Sequence, residues 1–307
     1  MTFNNARTIE ATLASVRAQV GVETRVIAVD NASYDGTRGV LGSTSGLRFI
    51  EQYANTGFAA GMNRALREAD RPYVLLLNPN VLLPPDTLRT LVEALKNAPE
   101  DVAAVQPKLL RGGEPPTLDS TGIVLNLGKM SPYDRGQGEE DRGQYDGDAD
   151  VFGPTAACAL WRRKALFDLA VDGEIFDEGY FAYYEDVDLA WRARSAGYRF
   201  LYAPQAHAMH DRTNPAGHGP LIEGRAMVNR YRLVAKCARP ILAAFLWAKC
   251  MPLDAARALW HGFRHPSYFW GIFQGKMAIW GVCRKRRATN ARIAEILRHR
   301  QLKSGDI

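Results

Sequence analysis

Short apolar runs alternate with helix-patterned segments over the first third of the chain, and this rhythm restricts the possible folds more than any other feature. Ile9, Leu13, Val16 and Val20 recur at helical spacing, which predicts a helix over residues 6–20. Residues 26–29, 47–50, 73–77 and 102–105 are apolar runs predicted as strands, with helices expected over 58–69 and 86–98. Strands joined through single helices imply parallel βαβ units, hence an α/β class with a mostly parallel central sheet flanked by helices. In such sheets ligands bind beyond the carboxyl ends of the strands. Asp30, Asn55 and the Asn78-Pro79-Asn80 turn each follow a predicted strand at that end, so they are expected to converge on one crevice.

The rhythm then changes. Residues 129–150 are polar, acidic and glycine-rich, which predicts a mobile surface loop. Residues 156–161 read as a strand, 185–195 as a helix stopped by Gly197, and 199–203 as a strand stopped by Pro204. Beyond about residue 214 the chain is helical and basic in pattern, with Trp247, Trp260, Phe263, Tyr268, Phe269, Trp270, Phe273 and Trp280 spread through it and Arg-Lys-Arg-Arg at 284–287. The stretch PILAAFLWAKCMPL is broken by Lys249 and by prolines, short of the roughly 20 apolar residues that span a bilayer. Cys158, Cys237, Cys250 and Cys283 are scattered without a CxxC pair, which excludes a disulfide framework or zinc ribbon and fits a reducing cytosol. No signal-peptide pattern is present. A net charge of +6 favours an anionic partner. Nucleic acid has only that charge in its support and is not expected. No GxGxxG follows a strand and no GxxxxGKS/T occurs, which argues against ordinary dinucleotide and P-loop sites.

Five segments carry a more specific signal: TFNN (2–5), VDNASYDGT (29–37), NTGFAAGMN (55–63), LLLNPN (75–80) and FAYYEDVDLAWRARSAGYRFLYAPQAHAMH (181–210). In this order and at these intervals they resemble family 2 glycosyltransferases of the GT-A fold, in the rhamnosyltransferase-like branch, over residues 2–212. The resemblance implies a GT-A domain over residues 1–214, with a nucleotide-binding half to about 107 and an acceptor half from about 108. A basic, aromatic-rich helical region then covers 215–307. It implies inverting transfer of a sugar, L-rhamnose from dTDP-rhamnose or a hexose from a UDP-sugar, to a lipid-linked or polysaccharide acceptor in cell-envelope glycan synthesis.

The site residues follow from the same resemblance. Asp186 matches the catalytic base and Glu185 shapes the site beside it; as plain helix chemistry, acids in the first turn also favour the helix dipole. Asp188 is expected to face away and to pair with Arg192 one turn on. Asp30, Asn31, Asn55, Gly57, Asn63 and Asn78 are expected around the nucleotide donor, Asp30 accepting from the base imide. Read without the resemblance, Asp30 is a turn-capping acid and Asn55 a helix cap. Asn80 and His210 match positions that hold Mg2+ or Mn2+ against the diphosphate. The family commonly reads NPD where this chain has Asn78-Pro79-Asn80, so the cation seat lacks one charge. The family also runs an internal apolar strand directly into T-F-N, whereas this chain opens at Met1-Thr2-Phe3-Asn4. A shortened or misassigned start is the expectation. The alternative is a catalytically silent GT-A domain that binds a nucleotide sugar or a partner. The C-terminal region is expected either to lie on an anionic membrane, placing the protein at the cytoplasmic face, or to pack as a helical layer on the catalytic domain.

Overall fold

The apolar runs form strands where the pattern places them, and the helices between them cover both sheet faces. The computed structural model describes residues 1–212, 219–279 and 281–305. Helix α1 (Ile9–Arg17) precedes β1 (Val26–Asp30), α2 (Thr37–Ser43), β2 (Leu47–Glu51), α3 (Gly57–Leu66) and β3 (Tyr73–Leu77). Next come β4 (Val81–Leu82), α4 (Thr87–Asn97), β5 (Val102–Arg111), β6 (Thr117–Ser120), β7 (Ile123–Asn126) and β8 (Ser131–Asp134). Strand β9 (Cys158–Arg162), α5 (Arg163–Asp168), α6 (Glu185–Ser195) and β10 (Arg199–His210) complete the sheet-bearing part. Four helices follow: α7 (Pro220–Cys237), α8 (Pro240–Arg264), α9 (Pro266–Ile279) and α10 (Val282–Gly305). The expected domain boundary at 214/215 lies outside the described residues.

The sheet is mixed. β1 and β2 pair in parallel from Val26↔Leu47 to Asp30↔Glu51, and β5 and β10 are also parallel. β9 returns from the excursion after β8 and inserts antiparallel between β3 and β5. The order is β3-β9-β5-β10-β4. One face packs Leu76, Trp161, Phe176, Leu189 and Phe200 under α3, α5 and α6, with Trp161 and Phe200 edge-to-face at 5.3 Å. The other face packs Val81, Val105, Leu109 and Leu160 against Leu91 and Leu95 of α4. Burying a side chain of this size is worth about 1.5–3 kcal/mol, so these two layers hold the strand ends in place.

Two expectations need correction. Pro204 does not end β10. The ladder to β5 breaks after Ala203 and resumes at His207↔Lys108, because a residue without an N–H is accommodated in a bulge rather than in the paired run. The strand therefore continues to His210. Residues 129–150 are not a free loop either: β8 pairs with β7, and the acids fold back as counter-charges. Lys108, almost fully buried, sits 3.0 Å from both Asp141 and Asp146, and Arg135 bonds Asp148 at 2.7 Å.

β1 has β2 on one side and β3 has β9 on one side, and the facing edges of β1 and β3 do not pair with each other. Between them lies an apolar cleft of about 460 Å³, walled by Val26, Ile27, Ala28 and Tyr73 to Leu77, with Met1 at one end. Burial of the Met1 amino group pulls it down to about 6. Two opposed strand edges with apolar walls fit one further strand between them. A run of about five apolar β-branched residues added ahead of Met1 is expected to raise the melting temperature by at least about 5 °C. Circular dichroism melts check this; an unchanged or lower value would remove the cleft as a strand seat.

Candidate active site

The carboxyl ends of β1, β3 and β10 open onto one cavity of about 610 Å³. Its wall includes Asn31, Asn55 and Gly57 from one side and Asn78 and Asn80 from the turn after β3. Glu185 and Asp186 enter from the start of α6, and His210 from the end of β10. Eight of the ten residues expected at the site are thus brought together.

Asp30 and Asn63 are not. Asp30 is fully buried and its carboxylate accepts from the Ser33 N–H at 2.9 Å and hydroxyl at 2.5 Å, with Arg38 at 3.2 Å. Its oxygens are spent closing the DNAS turn, the capping role that its sequence also allowed. Asn63 lies on the far side of α3. It accepts from the Phe176 N–H at 2.9 Å and donates to the Phe176 carbonyl at 2.8 Å, clipping α3 to the chain before α6.

The amides on the β1 side form a preset cluster. Asn31 donates to the Asn55 side-chain oxygen at 2.9 Å and to the Gly57 carbonyl at 3.1 Å. Its own oxygen accepts from Gln52 and from the Thr56 N–H, both at 3.0 Å. Gly57 has φ +87°, and an added Cβ would overlap the carbonyl and ring of Phe181. Only glycine allows α3 to begin this close to the segment that precedes α6.

That segment is strained. Phe181, Tyr183 and Tyr184 have φ of 64°, 68° and 76°, a region that costs non-glycine residues about 1–3 kcal/mol each. Helix α7 holds it: the buried Asn229 amide donates to the carbonyls of Tyr180, Ala182 and Tyr183 at 2.9–3.0 Å. Arg225 lies 3.9 Å over the Phe181 ring. The strain places Glu185 and Asp186 at the cavity wall in the first turn of α6.

The two carboxyls differ. Burial pushes Asp186 up to about 6, opposed by the Ala156 N–H and reinforced by the Asp134 carboxylate. Burial, and then the charge of Asp186, push Glu185 well above the carboxylate range. One Glu185 oxygen is buried without a hydrogen-bond partner among the described residues. The Asp186 oxygens are held by the N–H groups of Ala156 at 3.2 Å and Val187 at 2.8 Å. An oriented carboxylate with a pKa near 6 is suited to remove a proton from a hydroxyl. Asp188 faces the other way and pairs with Arg192 at 2.8 Å, as expected.

On the opposite wall, the Asn80 amide nitrogen donates to the Asp211 carbonyl at 2.6 Å. A carboxylate could not make that bond. The Nδ1 of His210 is 2.7 Å from Asp119, leaving Nε2 as its other ring nitrogen. Burial pushes Asp119 up, but His210, Arg212 and Arg111 outweigh it and hold the carboxyl at about 2. A carboxylate behind a histidine in this way fixes the ring and its tautomer, as it does for metal-ligating histidines. Asn80 and His210 thus fit as two ligands, an amide oxygen and an imidazole nitrogen, for one side of a divalent cation. Among the described residues no group of three His, Cys, Asp or Glu could hold a metal ion, so the remaining ligands would come from a diphosphate and water.

Asp119, Asp134 and Arg212 were missed by sequence reasoning. Arg212 is 3.1 Å from Asp119 and 3.0 Å from Asp134. Asp119 opens the Asp-Ser-Thr-Gly turn after β6, and that polar cluster at a strand end was the available signal. Asp134 lay hidden in the stretch read as a loop.

Residues 1–169 match the family model described as Glycosyl transferase family 2. The chain is 27% identical over 244 residues to an N-acetylglucosaminyl-diphospho-decaprenol L-rhamnosyltransferase of Mycobacterium tuberculosis, covering 72% of this chain and 77% of the relative. It is 25% identical over 212 residues to a poly-beta-1,6-N-acetyl-D-glucosamine synthase of Staphylococcus aureus, 66% of this chain but only 47% of that protein. The solved mannosyltransferase of Pyrobaculum calidifontis in complex with GDP-Man and Mn2+ superposes with a TM-score of 0.53 at 20% identity, over 93% of this chain and 84% of that one.

Asp186→Asn is expected to lower turnover about 10²–10⁴-fold with nucleotide binding retained. Because the base acts unprotonated, kcat/KM of the unmodified chain is expected to fall as pH drops through about 6. A flat profile between pH 5 and 8, or near-normal turnover of the variant, would remove Asp186 as the base.

Proposed function

We propose a specific reaction from an established premise: the chain belongs to glycosyl transferase family 2, and it is a glycosyltransferase of GT-A architecture. The reaction is inverting transfer of a sugar from a nucleoside-diphosphate donor to an acceptor hydroxyl. Asp186 takes the hydroxyl proton as that oxygen bonds to the anomeric carbon. The bond from that carbon to the diphosphate breaks, and the nucleoside diphosphate leaves with the electron pair. The observation that carries this reading is the Asp186 carboxyl, held by two backbone N–H groups, in the same cavity as the Asn31–Asn55 amide cluster and the Asn80–His210 pair.

In this reading Asn31, Asn55, Gly57 and Asn78 border the donor. Asn80 and His210 hold one side of a divalent cation, which offsets charge on the leaving diphosphate. Glu185 lies beside the sugar and acceptor, where a substrate hydroxyl would satisfy its one buried oxygen without a partner among the described residues. Similarity to the mycobacterial enzyme favours dTDP-L-rhamnose as donor, then UDP-hexoses, and a lipid-linked or polysaccharide acceptor in cell-envelope glycan synthesis. A lipid-linked acceptor supports the further reading that the enzyme works at the cytoplasmic face of the membrane. One observation favours a second reading, a silent domain that binds the nucleotide sugar only: Asn80 brings no charge to the cation.

Calorimetry with dTDP and UDP, with and without Mn2+, followed by an assay for release of dTDP from dTDP-rhamnose, separates the two. Mn2+-strengthened binding and dTDP release that Asp186→Asn abolishes are expected. Binding without release in the presence of a GlcNAc-diphospho-lipid acceptor would support the silent domain. In the same titrations His210→Ala is expected to weaken the Mn2+-dependent part of binding by about tenfold or more, leaving metal-free binding unchanged.

A further inference from the structure

The second half of α7 and the inner side of α8 make an ordinary helical contact: Leu246 and Ala243 of α8 are buried beside Val234. The outer side of α8 is apolar as well. Ile241 is 87% exposed, Phe245 63%, Leu259 54% and Phe263 81%. With Ala248, Pro252 and Ala256 these positions fall within a sector of roughly 80° and run for about 33 Å along the helix. Trp260 flanks the stripe, and on α9 the exposed rings of Trp270 and Phe273 stack at 5.3 Å. A helix on the outside of a soluble domain is normally polar on such a face.

The charge around the stripe identifies its partner. From Arg239 to Lys276, over α8 and α9, the chain carries five Lys and Arg against one acid, Asp254. Asp254 is buried against Arg230 and Tyr231. On α8 itself Lys249 borders the stripe, and the exposed Arg257 and Arg264 lie farther round the helix on that same side. A second copy of this chain would bring like charge against like charge; an anionic lipid surface is complementary to it. No helix of the described residues is long and apolar enough to cross a membrane, so the fit is a helix lying in the plane of the interface, its aromatic and aliphatic face down and its basic flanks at the headgroups.

We propose that the outer face of α8, with the tip of α9, is an interfacial anchor for an anionic bilayer that holds the cavity mouth against the lipid surface. Both helices adjoin the cavity walls. Lys249 of α8 donates to the Gly128 carbonyl at 3.1 Å, beside the β7–β8 hairpin that brings Tyr133 and Asp134 to the cavity. Gly224 of α7 is packed on the Tyr268 backbone of α9, and α7 lends Ile222 and Ala226 to the cavity wall. This deepens the proposed function, because a lipid-linked acceptor would lie at that mouth; the binding itself does not depend on turnover.

The test is flotation of the full chain with vesicles of phosphatidylcholine alone and of phosphatidylcholine with phosphatidylglycerol. The chain is expected to float with the anionic vesicles and to be released as salt rises from about 0.05 to 0.5 M. Phe245→Glu with Phe263→Glu is expected to lower partitioning about tenfold or more at an unchanged melting temperature. Because both positions are exposed, Lys249→Gln with Arg257→Gln serves as a second pair that leaves the stripe intact and is expected to weaken binding to anionic vesicles alone. Failure of the unmodified chain to float with anionic vesicles overturns the proposal. So does equal flotation of the folded Phe245→Glu, Phe263→Glu variant, or a dimer in sedimentation velocity that this variant dissociates. Transfer to a detergent-solubilised GlcNAc-diphospho-lipid acceptor, assayed in parallel without vesicles, separates the two readings. Flotation without transfer leaves the anchor standing and removes the reaction; transfer without flotation does the reverse.

Discussion

Two buried carboxylates, Asp177 and Asp188, share one lysine, and the placement of the active-site helix depends on it. Lys236 of α7 lies 2.9 Å from Asp177 and 2.8 Å from Asp188. Arg192 completes the shell of Asp188, and Arg232 and Lys285 that of Asp177. Burial alone would push both carboxyls up; the surrounding cations outweigh it and hold both below the usual range. Removing one member of such a set leaves an uncompensated buried charge, a loss on the order of 3–5 kcal/mol. The network joins α6 to α7 and α10. The C-terminal helices are therefore part of the structure that sets Asp186, rather than an appendage beside it.

The same helices balance the strain ahead of α6. Three positive-φ residues within four positions, Phe181, Tyr183 and Tyr184, would relax if left alone. Asn229 ties three of the carbonyls concerned, and the Gly57 backbone fits against Phe181 only because no Cβ intervenes. One turn is thus fixed from the β1 side and from α7 at once. A displaced turn would move Glu185 and Asp186 together, so the burial that raises both carboxyls is a property of the assembled fold and not of the Glu-Asp pair alone.

The Asn80 side of the cavity follows a different logic. An acid there would face the Asp211 carbonyl and lose the hydrogen bond that Asn80 makes. The amide gives up charge at the proposed cation seat and gains a link between the turn after β3 and the end of β10. His210 and Asp119 meet on the same wall, so the geometry of that wall is tied together by neutral and charge-assisted hydrogen bonds.

Local chemistry was legible in the sequence. The short apolar runs located β1, β2 and β3 and the helical spacing of Ile9, Leu13 and Val16 located α1, since burial imposes those patterns, and the polar residues after the strands located the cavity. The five ordered segments identified the family, and the Glu185-Asp186 pair marked the start of α6. What the sequence could not determine were contacts between residues far apart in the chain. His210 and Asp119 are separated by 91 positions and Asn63 and Phe176 by 113. Whether Asp30 faces a ligand or Ser33, whether residues 129–150 are free or neutralise Lys108 and Arg135, and whether β10 survives Pro204 all depend on which strand lies beside which. Strand order is decided by how the whole sheet buries its two faces. Only the tertiary structure, where buried charges must find partners across the chain, makes that choice.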